Sequence, residues 1–193
     1  MFVEDPVVVV DELAVMTRMG AESRRRESES LATALARFRP LHWLKEPATL
    51  EGGDVVHAGK TLYVGLSART NPEGVKQLAA ELEPAGYSVH GVQVHGCLHL
   101  KSACSYLGDG RILANREWFD TEAFAGVQII DVPKDEASAA NVLAIANSVM
   151  VPGAFPRTAE ILDRLGFRVN KLDISELMKA EAAMTCSSIL LET

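Results

Sequence analysis

Apolar and polar positions recur along this chain in a repeating unit of two short strands, an Arg-bearing loop, an amphipathic helix, a Gly or Pro, and a further strand. The first unit has apolar Val7 to Val10, a turn at Asp11-Glu12, Leu13 to Thr17 and a basic loop at Arg24-Arg25-Arg26. Leu31, Leu35 and Phe38 follow at helical spacing, and Pro40 ends that helix. The second unit has Val55-Val56, a turn at Gly59-Lys60, alternating Leu62, Val64 and Leu66, and then Arg69-Thr70. Asn71 is placed to cap a helix that Pro72 opens, with Val75, Leu78 and Leu82 as its buried stripe. Gly86 closes it, and Tyr87 to Val94 reads as a strand. The last unit repeats the second: Val142 to Ile145, a turn at Asn147-Ser148, Val149 to Val151, Arg157-Thr158, a helix with Ile161, Leu162 and Leu165, then Gly166-Phe167-Arg168-Val169. Between them, Tyr106 to Val132 gives a shorter copy, with Ile112 to Ala114, a weak helix around Thr121 to Phe124, and Val127 to Ile130. Four ββαβ units, each too small to bury its own sheet face, predict an α+β ring of units around a common axis, in one domain over 1–193.

Composition narrows the partners. A net charge of -7 lacks the basic footprint of a nucleic-acid binder and suits a small cationic ligand. The longest mostly apolar stretch, Ala137 to Phe155, is interrupted by Asn141, Asn147, Ser148 and Pro152, so no membrane span is expected. Three cysteines and an N-terminus that reads Met-Phe-Val-Glu-Asp, without a charged-then-apolar leader, predict a reducing, cytoplasmic setting. A homo-oligomer is left open.

Three places carry candidate chemistry. Glu51-Gly52-Gly53-Asp54 sets two carboxylates three positions apart at a strand entrance, where paired glycines let another group approach closely; on spacing alone a plain polar turn is the commoner reading. From Val92 to Lys101, alternation puts Val92, Val94, Leu98 and Leu100 on one strand face and His95, Cys97, His99 and Lys101 on the other. That second face is readable as a solvated face, a metal site or a source of a general base. Cys186 lies among Thr185, Ser187 and Ser188, compact hydroxyl residues suited to lining a thiolate site, although free cysteines are commonly inert core residues.

Taken in order, Leu50-Glu51-Gly52-Gly53-Asp54-Val55, the Val64-Gly65-Leu66-Ser67 run leading to Arg69-Thr70-Asn71, Leu98-His99-Leu100-Lys101-Ser102, and Thr185-Cys186 resemble the dimethylarginine dimethylaminohydrolase family. The resemblance implies a pentein β/α-propeller of five ββαβ units, with no counterpart here for the unit that the family carries ahead of Glu4, nor for its lid loop and one further acid. About four of the usual five units are therefore expected. It implies Cys186 as nucleophile, His99 as acid/base and Glu51 as the acid orienting it, with Asp54 structural. Arg24 and Arg69 would hold the substrate carboxylate, and Glu4 and Asp5 the guanidinium. No metal and no cofactor are implied. The reaction implied is hydrolysis of methylated arginine to citrulline and an amine through a cysteine thiouronium. An arginine deiminase-like hydrolase and a non-catalytic pentein binding protein remain as other readings.

Overall fold

The computed structural model describes residues 2–191. Twelve strands form four three-stranded sheets of one design, an antiparallel hairpin followed by a third strand parallel to the second. The first sheet contains β1 (Val7–Val9), β2 (Ala14–Met16) and β3 (Leu41–Trp43), with helix α1 (Glu27–Leu35) in its crossover. The second contains β4 (Val55–Ala58), β5 (Thr61–Leu66) and β6 (Ser88–Gln93), crossed by α2 (Pro72–Leu82). After the short α3 (Leu100–Ala103), the third contains β7 (Cys104–Gly108), β8 (Arg111–Ala114) and β9 (Gln128–Asp131), with only 3-10 turns, including Thr121–Phe124, in its crossover. The fourth contains β10 (Leu143–Ile145), β11 (Ser148–Pro152) and β12 (Arg168–Leu172), crossed by α4 (Pro156–Arg164) and followed by α5 (Ser175–Met178).

The caps follow the residue types. The Asn71 carboxamide accepts from the Gly74 N–H at 2.8 Å, and Pro72 occupies the first turn, where its missing donor costs nothing. Each sheet is completed by its neighbours. Val8, Val10 and Val15 pack with Val55, Leu62 and Val64; Val56 and Tyr63 with Ile112 and Ala114; Leu107, Leu113 and Ile130 with Val149, Val151 and Leu162. The leading strands β1, β4, β7 and β10 line one cavity of about 650 Å³, so the sheets stand side by side around an axis. No helix among the described residues is long and apolar enough to cross a membrane.

Three local expectations change. Phe38 lies beyond the end of α1 and is 55% exposed, because that helix closes at Leu35; Leu165, just past α4, is exposed as well. The strand expected through Lys101 stops at Gln93. From there the chain makes one bridge, Val94 to Phe119, and turns, with Gly96 against the Trp118 ring, before Leu100 starts α3. Alternation breaks with it: Leu100 is fully buried and Leu98 is 50% exposed.

Candidate active site

The segment joining Leu50 to β4 forms the floor of the site. Glu51 is extended, Gly52–Asp54 turn as a 3-10 helix, and all four residues are buried. The glycines are obligatory by space. A Cβ on Gly52 would sit 2.1 Å from the Glu4 carbonyl oxygen, and one on Gly53 would sit 2.8 Å from both Asp5 Oδ1 and His99 Nδ1. The turn thereby brings the Glu4-Asp5 segment and His99 against Glu51.

Glu51 Oε2 meets His99 Nε2 at 2.8 Å, while Oε1 accepts from the Ala21 N–H at 3.2 Å and from Arg69 Nη1 at 3.3 Å. Burial pushes the Glu51 carboxyl up, but the His99 bond, the Ala21 N–H and the His99 and Arg69 charges outweigh it and hold the group below the usual carboxylate range. Burial works the other way on His99. The bond to Glu51 and the charges of Asp54, Asp5 and Glu51 overcome it, so the imidazole stays protonated to higher pH than a free histidine.

Asp5 accepts from the Gly53 N–H at 3.1 Å and from Arg24 Nη1 at 2.8 Å; Arg24 also makes a two-point pair with Glu27. Glu4 lies elsewhere. Its Oε1 pairs with Lys101 and its Oε2 accepts from Thr185 Oγ1 at 2.8 Å. Thr185 is further fixed by Asn141, which also bonds the Lys101 carbonyl. Cys186 follows Thr185: its carbonyl accepts from the Glu4 N–H at 3.4 Å, and its sulfur accepts from the Ala183 N–H at 3.4 Å. Burial raises the Cys186 thiol, the Ala183 N–H opposes it, Glu4 and Asp5 add to the rise, and Lys101 offsets part of it. Among the described hydrogen bonds none joins Cys186 to His99; Glu4 joins the Cys186 carbonyl to Lys101, two residues beyond His99.

Of the residues singled out in the sequence, the structure brings Glu51, His99, Asp5, Arg24 and Arg69 into one network, and Cys186 and Glu4 into an adjoining one. Lys101 and Asn141 had no assigned role, although Lys101 stands in the same motif as His99. The face of His95, Cys97 and His99 dissolves with its strand: His95 pairs with Asp120, and the Cys97 thiol donates to the His99 carbonyl. One group of possible metal donors exists among the described residues, Asp5, Glu51 and His99, within 4.8 Å of one another. Gly53, Arg24, Arg69, Ala21 and His99 already donate to its carboxylates, leaving few lone pairs for a cation.

The family model described as arginine deiminase matches residues 1–132. A dimethylarginine dimethylaminohydrolase from Pseudomonas aeruginosa is 40% identical over 190 residues, spanning 97% of this chain and 75% of the relative. One from Streptomyces coelicolor is 42% identical over 192 residues, spanning 98% and 73%. A solved cysteine-to-serine variant of the Pseudomonas enzyme, complexed with citrulline, superimposes with a TM-score of 0.90 at 39% identity, covering 96% of this chain and 73% of that one. Sheets sharing their cores around an axial cavity, with a buried carboxylate–imidazole pair beside it, are those of a pentein-class propeller. Identity over nearly the whole chain narrows this. The chain belongs to the dimethylarginine dimethylaminohydrolase family, hydrolases of C–N bonds in linear amidines.

Proposed function

We propose that this chain hydrolyses the guanidinium of Nω-methylated arginine to citrulline and methylamine or dimethylamine, with Cys186 as nucleophile, His99 as acid/base and Glu51 as the group that orients and charges His99. The observation carrying this reading is the 2.8 Å pair of His99 Nε2 and Glu51 Oε2, with Glu51 fully withdrawn from solvent. A buried carboxylate held ionised keeps an imidazolium available near neutral pH, as protonation of a departing amine requires. With Nε2 occupied, Nδ1 is the nitrogen left to exchange a proton.

A guanidinium is planar, cationic and resonance-stabilised, so attack on its carbon needs a thiolate, anions holding the cation, and an acid for the leaving nitrogen. The raised Cys186 thiol implies a protonated resting state. A bound cation between Asp5 and the sulfur favours the thiolate, with the thiol proton released to solvent as the cation binds. That thiolate bonds to the guanidinium carbon, the C–N bond to the methylated nitrogen breaks, and His99 protonates the amine. Neutral His99 then takes one proton from water as the water oxygen bonds to the same carbon; the C–S bond breaks, the thiolate returns, and citrulline leaves with its remaining hydroxyl proton passed to solvent. Asp5 is the acid assigned to the guanidinium. Glu4 is assigned to the same cation and, through Lys101 and Thr185, also fixes the residue preceding the nucleophile. Arg24 and Arg69 are assigned to the substrate carboxylate, which fixes the carbon over sulfur.

Turnover of Nω,Nω-dimethylarginine against arginine tests the reading. Faster citrulline release from the methylated substrate is expected, and ammonia release from arginine at equal or higher kcat/KM would make the protein a deiminase instead.

A further inference from the structure

Asp54, a fully buried carboxylate, takes no part in the chemistry above. Its Oδ1 accepts from the Leu100 N–H at 3.0 Å, and its Oδ2 accepts from Ser67 Oγ and Thr70 Oγ1, each at 2.7 Å. Every partner leads to a site residue. Leu100 adjoins His99. Ser67 Oγ also accepts from the Arg69 N–H at 3.0 Å, and Thr70 Oγ1 from the Glu51 N–H at 3.1 Å. Gly65 supplies the room, since a Cβ there would lie 2.6 Å from Asp54 Oδ1.

Burial pushes the Asp54 carboxyl above its ordinary value, opposed by the His99 charge and by its bonds to Thr70, Ser67 and Leu100; accepting three donors and donating to none is nonetheless the pattern of an ionised carboxylate. A buried charge is a poor source of stability, because an apolar residue of similar volume serves as well. What the charge supplies is register: the turn before β4, the loop between β5 and α2, and the entry to α3 meet on one group. We propose that Asp54 is a positioning residue that sets Glu51, Arg69 and His99 relative to one another. This rests on the proposed function for its catalytic consequence, but the geometry it asserts is independent of turnover.

Two variants test it. Asp54→Asn preserves shape and removes the charge; Ser67→Ala cuts only the limb to Arg69. Both are assayed on dimethylarginine and on its counterpart lacking the α-carboxylate. Asp54→Asn is expected to lower kcat by roughly tenfold to a hundredfold and to raise KM, since misplacement of this size costs about that much. Ser67→Ala is expected to raise KM for dimethylarginine more than it lowers kcat, and to leave the carboxylate-free substrate unaffected. The His99 ring is titrated by NMR in parallel. The charges facing it are Glu51, Asp5 and Asp54, with Arg24 and Arg69 behind Glu51. Its midpoint is expected to move to lower pH in Asp54→Asn and to stay in Ser67→Ala.

Fewer active sites at unchanged KM, with an unchanged His99 titration, would reduce Asp54 to an ordinary packing residue and overturn the proposal. Should Asp54→Asn fail to fold, Ser67→Ala decides: equal losses on both substrates would overturn it. A wild-type protein inert toward dimethylarginine would remove the proposed function, and the backbone amide shifts of Glu51, Arg69 and His99 in Asp54→Asn would still decide the role of Asp54: displaced together if it positions them, unchanged if it does not.

Discussion

Glu51 and His99 each hold the other in its charged form, and the consequence is a pH window. His99 is raised, so its contribution to stability is complete below its ordinary value near 6.5 and is lost as pH rises through the folded value. Glu51 is depressed, so its contribution is present above the ordinary carboxylate range and is lost as pH falls through the folded value. Glu51→Gln should therefore flatten the pH dependence of unfolding on both sides and return the His99 midpoint toward 6.5. Denaturation across pH with NMR of the ring checks this, and an unmoved His99 would contradict the pairing. Gly53→Ala puts a methyl 2.8 Å from both Asp5 Oδ1 and His99 Nδ1. Its kcat should fall by roughly a hundredfold, measured on folded protein, because the displaced groups are the reacting ones. The two carboxylates and two glycines were legible in the sequence as a motif. That Asp54 and not Glu51 makes the contact to Leu100 was not, because alternation and spacing say nothing about which carboxylate turns toward which loop.

At the scale of elements, the strand-turn-strand-helix rhythm was readable wherever a helix interrupts it, because Asn71-Pro72 and the Leu78 and Leu82 spacing have local causes. The segment from Val94 to Leu100 was not. Its apolar alternation imitates a strand, whereas the Val94–Phe119 bridge, the Trp118 carbonyl accepting from His95 and the Gly96–Trp118 packing bend it. Those partners lie more than twenty residues away and leave no mark on a local window. The two readings differ in energy. A strand would bury Leu98 with Leu100; the turn leaves Leu98 half exposed and Leu100 enclosed. Leu100→Ala should cost about 2–5 kcal/mol and Leu98→Ala under about 0.5 kcal/mol in denaturant melts. Equal costs would favour the strand.

Across the described residues, three of the four hydrophobic clusters take side chains from two adjacent sheets, so damage to one sheet is felt by the next, while the fourth joins the first sheet to the C-terminal segment. Leu162, fully buried in the last crossover, tests this through the two tryptophans, Trp43 in the first sheet and Trp118 beside the third. Leu162→Ala should lower the unfolding midpoint seen by each tryptophan equally, and a shift confined to Trp118 would mean that the sheets melt separately. The repeat of units was legible because the Arg-Thr, helix, Gly-aromatic pattern recurs. The network joining Glu4, Lys101, Asn141 and Thr185 was not, because it draws one residue from each of four distant segments. That network fixes the Thr185-Cys186 segment, and the proposed reaction requires the Cys186 sulfur to attack a guanidinium carbon. The most direct test is citrulline formation from dimethylarginine by Cys186→Ser protein at the wild-type pH optimum. No citrulline, with the fold and citrulline binding retained, is the result predicted; turnover within tenfold of wild type would contradict it.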